Sequence, residues 1–461
     1  MLSISKYYLV LLLLFITSVL KAQSSKQLLL KQLLKQVELK APILLTDSAA
    51  ILIKQAQADE TKNNWLPSLK LNYQADIGTS NNTTGPYFGF GIIPSSSGGI
   101  HSNNVTTTLA DNLGIAAFDW EIYNFGKYSA ENKVAQSEIK VERENFTQSK
   151  FNLVSYTILN YLQLIRLQDF LNIQSRNINR TLEIRRSIQS LAKSGVIAGI
   201  DTSIAEAELS KARLNYIELD NQLKKLQLKL SAISGINYQS IIPDSTLENT
   251  LIEQPSAYLF IPDSINHPLI NFYRSVYKNN LQREELAKKL YNPKISFDAA
   301  AWERGSSVSA TGQYNRLSSG LGLQRSNYLV GLSISYNLFD LRKQQLKLNT
   351  QKANSDYSLK KLQEEQQLLS TGAKQADVEM QTALNRLKEI PKQLKAANDG
   401  YRQKLSLYKN GLTDILELDA ALNILYRAET DYMEAKYDYS SALFQKAITE
   451  NQVNSVLNFL K

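Results

Sequence analysis

Apolar residues recur along this chain with two different periods. Four stretches alternate residue by residue. Leu69, Leu71, Tyr73, Ala75 and Ile77 alternate with Lys70, Asn72, Gln74 and Asp76. Ala116, Phe118, Trp120 and Ile122 alternate with Ala117, Asp119 and Glu121. Ile295, Phe297, Ala299 and Ala301 alternate with Ser296, Asp298 and Ala300. Tyr328, Val330, Leu332, Ile334, Tyr336 and Leu338 alternate with Gly331, Ser333, Ser335 and Asn337. A period of two sends alternate side chains to opposite faces of a sheet, so strands are predicted at about 67–78, 113–125, 293–303 and 327–339. The remaining chain follows the helical period, with helices predicted at about 127–192, 201–234, 340–408 and 413–450. Residues 127–192 contain neither Pro nor Gly. A helix of that length spans roughly 100 Å, more than a globular core is thick. Pro391 is expected to kink or wedge the third of these helices. Within 209–233 the apolar positions Leu209, Ala212, Tyr216, Leu219, Leu223, Leu226, Leu230 and Ile233 follow alternating three- and four-residue steps, a heptad seam. A second seam runs Leu418, Leu422, Leu425, Ala428, Tyr432, Ala435, Tyr439, Ala442, with a register slip at Leu425.

The pattern occurs twice. Asp201–Leu230 aligns with Asp414–Leu443, and Tyr123-Asn124-Phe125-Gly126 with Asn337-Leu338-Phe339-Asp340. Upstream, Leu66-Pro67-Ser68-Leu69 aligns with Asn292-Pro293-Lys294-Ile295. The order is kept throughout, which implies two tandem copies: residues 23–235 and 266–450, joined by a Pro-containing linker at 236–265 and followed by a tail at 451–461. Each copy reads helix, strand, polar loop, strand, very long helix, turn, helix.

Residues 1–22 read as a secretory signal peptide: Lys6, an apolar run from about Tyr7 to Leu20, and a small residue at Ala22. No later stretch is apolar enough for a membrane helix. A membrane could therefore be crossed only by the strands. A soluble half-buried sheet shows the same alternation. Three features favour the membrane: strands of about ten residues, tryptophans (Trp65, Trp120, Trp302) in or beside them as an interfacial girdle, and Ser/Asn/Gly/Thr-rich loops at 79–112 and 304–326. Four strands cannot close a barrel, and open edges in lipid leave unpaired backbone groups costing several kcal/mol each. Copies must then pool strands: two chains supply 8 and three supply 12.

Composition narrows the chemistry. There is no cysteine, so disulfides, thiolate sites and a lipidated cysteine are excluded. The two histidines, His101 and His267, are expected at the surface, and leave little room for a metal centre. The charge of +9, from 52 Lys+Arg against 43 Asp+Glu, is spread along helices rather than concentrated, which argues against nucleic acid. No phosphate loop, nucleophile elbow or paired-carboxylate motif is present, and the loop at Gly89–Gly99 lies between strands. No enzyme activity and no cofactor are expected.

Several segments carry a resemblance to the TolC outer-membrane efflux family, and it covers essentially the whole chain after the signal peptide. They are Trp65-Leu66-Pro67-Ser68-Leu69, Gly195-Val196-Ile197-Ala198-Gly199-Ile200-Asp201, Ile233-Ser234-Gly235-Ile236-Asn237-Tyr238, Leu425-Tyr426-Arg427-Ala428-Glu429 and Tyr437-Asp438-Tyr439. The resemblance implies a mainly α protein with membrane β-structure, in which long antiparallel coiled-coil helices form a periplasmic tunnel. It also implies a homotrimer whose chains each contribute four strands to a 12-stranded barrel. Residues 236–265, with Pro243, Pro255 and Pro262, would form a belt. The implied setting is the outer membrane of a double-membraned bacterium, with outer-membrane lipid, a periplasmic adaptor and an inner-membrane RND or ABC transporter as partners.

The resemblance also assigns roles to residues. The turns between paired helices become adaptor-docking tips: Gly195, Val196, Ile197, Ala198 and Gly199 in the first, Asn410, Gly411, Leu412 and Thr413 in the second. Asp201 and Tyr408 match an aspartate and a tyrosine that bond to each other across the tips. Thr413 stands where the family has an arginine. Glu417 matches the first of two acidic rings at the tunnel mouth; the second falls on Ala420, with Asp419 adjacent. A structural coiled-coil or adhesin-type protein without transport, or a passive porin, are the alternative readings. A porin, however, needs no helical extension of roughly 100 Å.

Overall fold

The computed structural model describes residues 27–81, 100–195, 199–253, 263–309 and 311–460. The signal peptide, the glycine-containing loop at 89–99, the first-tip residues Val196, Ile197 and Ala198, and Pro255 and Pro262 lie outside the described residues.

Two short helices come first, α1 (Leu30–Lys40) and α2 (Pro42–Asn63), followed by strands β1 (Ser68–Gly78) and β2 (Leu109–Tyr123). The helical hairpin α3 (Lys127–Lys193) and α4 (Ile200–Ser234) comes next. After α5 (Leu247–Glu253) the order repeats: α6 (Pro268–Lys289), β3 (Lys294–Ser306), β4 (Arg325–Ser335), α7 (Asp340–Lys409) and α8 (Ile415–Thr449), closed by α9 (Val453–Phe459). α7 continues as helix through Gly372 and Pro391. Among the described residues no helix is long and apolar enough to cross a membrane.

The chain divides into two compact units that do not coincide with the sequence halves. One comprises Met1–Leu52, Val141–Ser275 and Leu359–Lys461; the other comprises Ile53–Lys140 and Val276–Ser358. Each half sends its strands, with the start of its long helix, to the second unit and the rest of its helical hairpin to the first.

The second unit holds one antiparallel sheet in the order β1-β2-β3-β4, so β1 and β4 are its edges. Register assigns the faces. Leu69 lies opposite Phe118, Phe118 opposite Ala299 and Ala299 opposite Val330. That row belongs to an apolar face on which Leu71, Tyr73, Ile77, Tyr328, Leu332 and Ile334 stand exposed. Lys70, Asn72, Gln74, Asp76, Asp119 and Asp298 occupy the other face by the same alternation. Trp65 and Trp120 meet edge-to-face at 5.1 Å, and Trp120 Nε1 donates to the Trp65 carbonyl at 3.0 Å. Trp302 departs from the expected girdle. Its Cα partners are Ile115 and Asn327, which puts it in line with Asp298 and Arg304 on the polar face. Its distance along β3 from Phe297 is odd, and odd spacing reverses the face.

In the first unit, Leu33 and Val37 of α1, Ile158, Leu162 and Ile165 of α3, Leu226 and Leu230 of α4, and Leu443 and Phe444 of α8 form one buried cluster. Burial of each such side chain contributes about 1.5–3 kcal/mol. In the predicted seams most positions are buried, while Tyr216 and Tyr432 stay partly exposed. Arg166 pairs with Glu434, and Arg180 forms a two-pronged pair with Glu429 at 2.7 and 2.9 Å, tying α3 to α8. Leu28 bridges Pro243 in parallel, and Tyr161 links these strands' neighbours by donating to the Leu28 carbonyl at 2.6 Å and accepting from the Asp244 N–H at 2.8 Å. His267, expected at the surface, is buried instead. Its Nδ1 accepts from the Leu269 N–H at 3.1 Å and its Nε2 lies 3.0 Å from the Ile448 carbonyl. Both ring nitrogens are satisfied by the tautomer protonated at Nε2, and burial lowers its pKa. Glu248 on α5 is fully buried, with Lys436 Nζ 3.6 Å away and Asp169 3.4 Å from the same ammonium.

Candidate functional site at the helical tips

The second tip is set by Gly411. The Leu412 N–H reaches back to the Leu407 carbonyl at 2.9 Å and the Gly411 N–H to Tyr408 at 3.0 Å, the paired bonds of a Schellman end. This geometry needs a left-handed residue, and Gly411 supplies φ +71°. Asp414 then caps α8, its side chain accepting from the Glu417 N–H at 2.9 Å. At the first tip Gly195 takes φ +75° and Gly199 precedes α4. Among the described residues nothing lies within 4 Å of where a Cβ would stand on Gly195, Gly199 or Gly411. Leu412 is 72 % exposed, and Ile200 and Leu416 also present apolar side chains to solvent. Asn410 caps the turn from inside, its side chain donating to the Ser406 carbonyl at 2.8 Å.

Tyr408 is buried among Ile184, Ile188, Ala205, Tyr401, Ile415 and Leu418. Burial raises its pKa first, and the Asp201 charge adds to the rise. Its hydroxyl has no hydrogen-bond partner among the described residues, so the bond to Asp201 expected from the resemblance is not formed. The apolar packing of the ring sets where the hydroxyl lies. A buried hydroxyl left unpaired costs about 1–3 kcal/mol. Tyr408→Phe is therefore expected to raise the thermal midpoint slightly, by up to ~1 kcal/mol of stability, and to leave resting conductance unchanged. A lower midpoint with a leakier channel would show that the hydroxyl is bonded in the assembled protein.

Glu417 is held in place from two sides. Lys404 of α7 pairs with its carboxylate, and the Thr413 hydroxyl donates to the same oxygen at 2.7 Å. Lys404, then Thr413, lowers its pKa. The threonine at the family's arginine position thus bonds within its own chain. Asp419 faces a different environment. It is half-buried, it accepts from Asn423 Nδ2 at 2.9 Å, and its pKa is raised by burial and then by the Glu208 charge. Lys409 pairs with Glu183 at 3.0 Å, joining α7 to α3 near the tips. Lys404, Glu208 and Lys409 carry no motif, and their importance comes from neighbours distant in sequence. The i−4 spacing of Thr413 and Glu417 was the one local sign.

The profile of the outer membrane efflux protein family matches residues 33–236 and 281–445. The chain belongs to that family. It is an outer-membrane channel protein. Among curated proteins no match was found. Solved structures share the fold at low identity. The outer-membrane channel OprN aligns with TM-score 0.69 and 18 % identity over 92 % of this chain and 90 % of that one. VceC from Vibrio cholerae aligns at 0.71 and 13 %, covering 92 % and 96 %. The CmeC channel from Campylobacter jejuni aligns at 0.73 and 14 %, covering 92 % and 86 %.

Proposed function

We propose that three copies of this chain form the exit duct of a tripartite efflux or secretion system. The observation that carries the reading is the combination, in one chain, of an open four-stranded sheet with an exposed apolar face and two long helical hairpins that end in glycine turns. Pairing the β4 edge of one copy with the β1 edge of the next removes the open edges, and three copies give twelve strands. The hairpin tips, residues 195–199 and 410–413, then dock a periplasmic adaptor, which couples the duct to an inner-membrane RND or ABC transporter. Exposed Leu412, Ile200 and Leu416 supply the apolar contact such docking needs. At the pore mouth we assign the gate to Asp201, Tyr408, Glu417 and Asp419, with Tyr408 acting through the packing of its ring rather than through its hydroxyl. Lys404 pairs with Glu417, and Lys211 pairs with Glu208 beside Asp419 at 3.2 Å, so each acidic position carries a lysine partner that tempers its pull on cations.

Gly411→Trp tests the tip assignment. Because nothing crowds that position, the change adds bulk to the surface and strains one φ angle. Export is expected to fall by roughly tenfold or more, the loss of one interface anchor, while the membrane-assembled oligomer persists. Unchanged export with the oligomer intact would move the docking surface elsewhere.

A further inference from the structure

At the loop end of the sheet, Asp76 on β1 and Asp111 on β2 are direct cross-strand partners on the polar face. Asp111 is only 8 % exposed, and its Oδ1 has no hydrogen-bond partner among the described residues. Gln74, two residues before Asp76 on the same face, turns its amide toward the pair. Its Nε2 donates to Asp76 Oδ2 at 2.6 Å, which leaves Gln74 Oε1 beside that carboxylate, buried and unpartnered. Among the described residues no lysine, arginine or histidine forms an ion pair with either aspartate. The third strand adds a hydroxyl residue, since Ser306 is the β3 partner of Asp111.

Like charges directly opposite across a ladder repel, and a buried carboxylate without a counter-charge costs several kcal/mol. Two species could relieve this. A proton shared by the carboxylates removes one charge, but it brings a single donor. Gln74 Oε1 and Asp111 Oδ1 cannot both be satisfied by it. A hard divalent cation answers both demands, because it neutralises two carboxylates and takes neutral amide oxygens as ligands. Calcium accepts six to eight oxygens in irregular geometry, with water filling open positions, whereas magnesium demands a near-ideal octahedron. We propose that Asp76, Asp111 and Gln74 form a calcium-class cation site that pins β1 to β2 at the loop end of the sheet. The site lies within one chain and does not depend on the duct reading.

The test uses the full-length, detergent-purified protein after chelation and dialysis. Terbium luminescence and the thermal midpoint are followed as Tb³⁺ or Ca²⁺ is added. The proposal predicts saturable terbium emission that Ca²⁺ competes away, a rise in midpoint with Ca²⁺, and at least tenfold weaker binding in Asp111→Asn. Asp76→Asn, on the more exposed partner, is expected to weaken binding similarly, and serves if Asp111→Asn fails to fold. Asp298→Asn, which breaks the other cross-strand carboxylate pair on this face (Asp119 and Asp298, where Asp119 is exposed, Ser333 bonds Asp298 at 2.6 Å and the Lys70 and Lys294 charges lie near), should bind as wild type. Absence of saturable binding would overturn the site, as would equal weakening in Asp298→Asn. A midpoint that responds to acid but not to Ca²⁺ would replace the cation by a shared proton.

Discussion

Leu71→Arg should abolish outer-membrane assembly, while Asn72→Arg, one residue along the same strand, should leave it largely intact. Leu71 stands on the apolar face in register with Ala116, and Asn72 lies on the polar face opposite Ile115. An arginine facing lipid near the bilayer midplane costs about 2–4 kcal/mol per chain, and a trimer repeats that cost in every copy. On the polar face the guanidinium meets a wet lumen shared with Lys70, Gln74 and Asp76. The check is the fraction of chain recovered as a detergent-resistant oligomer from outer membranes. Equal loss in both variants would mean that the two faces are not lipid and water.

Glu248→Gln should make the protein more stable at pH 8 and erase a pH dependence that wild type shows between about pH 8 and pH 5. Burial lifts the Glu248 pKa from 4.5 to about 7; the Lys436 charge opposes the rise and the Asp169 charge adds to it. The folded state therefore binds this proton more tightly than the unfolded chain does. Stability is lower by roughly 3 kcal/mol where the carboxylate must be buried ionised, above pH 7, and that deficit disappears as pH falls toward 4.5. Glutamine removes the charge yet leaves Lys436 paired with Asp169. Thermal unfolding of wild type and variant across this range isolates the group by difference. A variant that is less stable than wild type at pH 8 would show that the Lys436–Glu248 pair outweighs the cost of burial.

Much of this architecture was legible in the residue pattern because its elements are long and periodic. Helix α3 follows from an uninterrupted run without Pro or Gly, and β1 from alternation from Leu69 to Ile77. Boundaries were less legible where an element is extended by its neighbours. β2 begins at Leu109, earlier than its alternation suggests, because Leu109 and Ala110 pair with Gly78 and Ile77 of β1, and bonds from Ala110 to Ser307 and from the Asn112 side chain to the Leu321 carbonyl hold that end. Pro391 did not hide its helix: α7 runs from Asp340 to Lys409 with the proline inside it, at the loss of one helical bond.

The site was only half legible. The glycines at 195 and 411 mark the turns between paired helices, but the capping role of Asp414 appears only in the structure. What each charge does depends on contacts across the hairpins. Lys404 restrains Glu417, Glu208 raises Asp419, and packing around Tyr408 keeps its hydroxyl from Asp201. His267 shows the same limit. A histidine before a proline reads as a loop residue, but the carbonyl that receives its ring lies on α8, far along the chain.

Electron-microscopic imaging of the detergent-purified protein tests whether three copies form a duct. A three-fold particle is expected, in which a short barrel joins a helical tube of roughly 100 Å, the length of the long helices. A monomer, or a solid rod with no barrel, would contradict it.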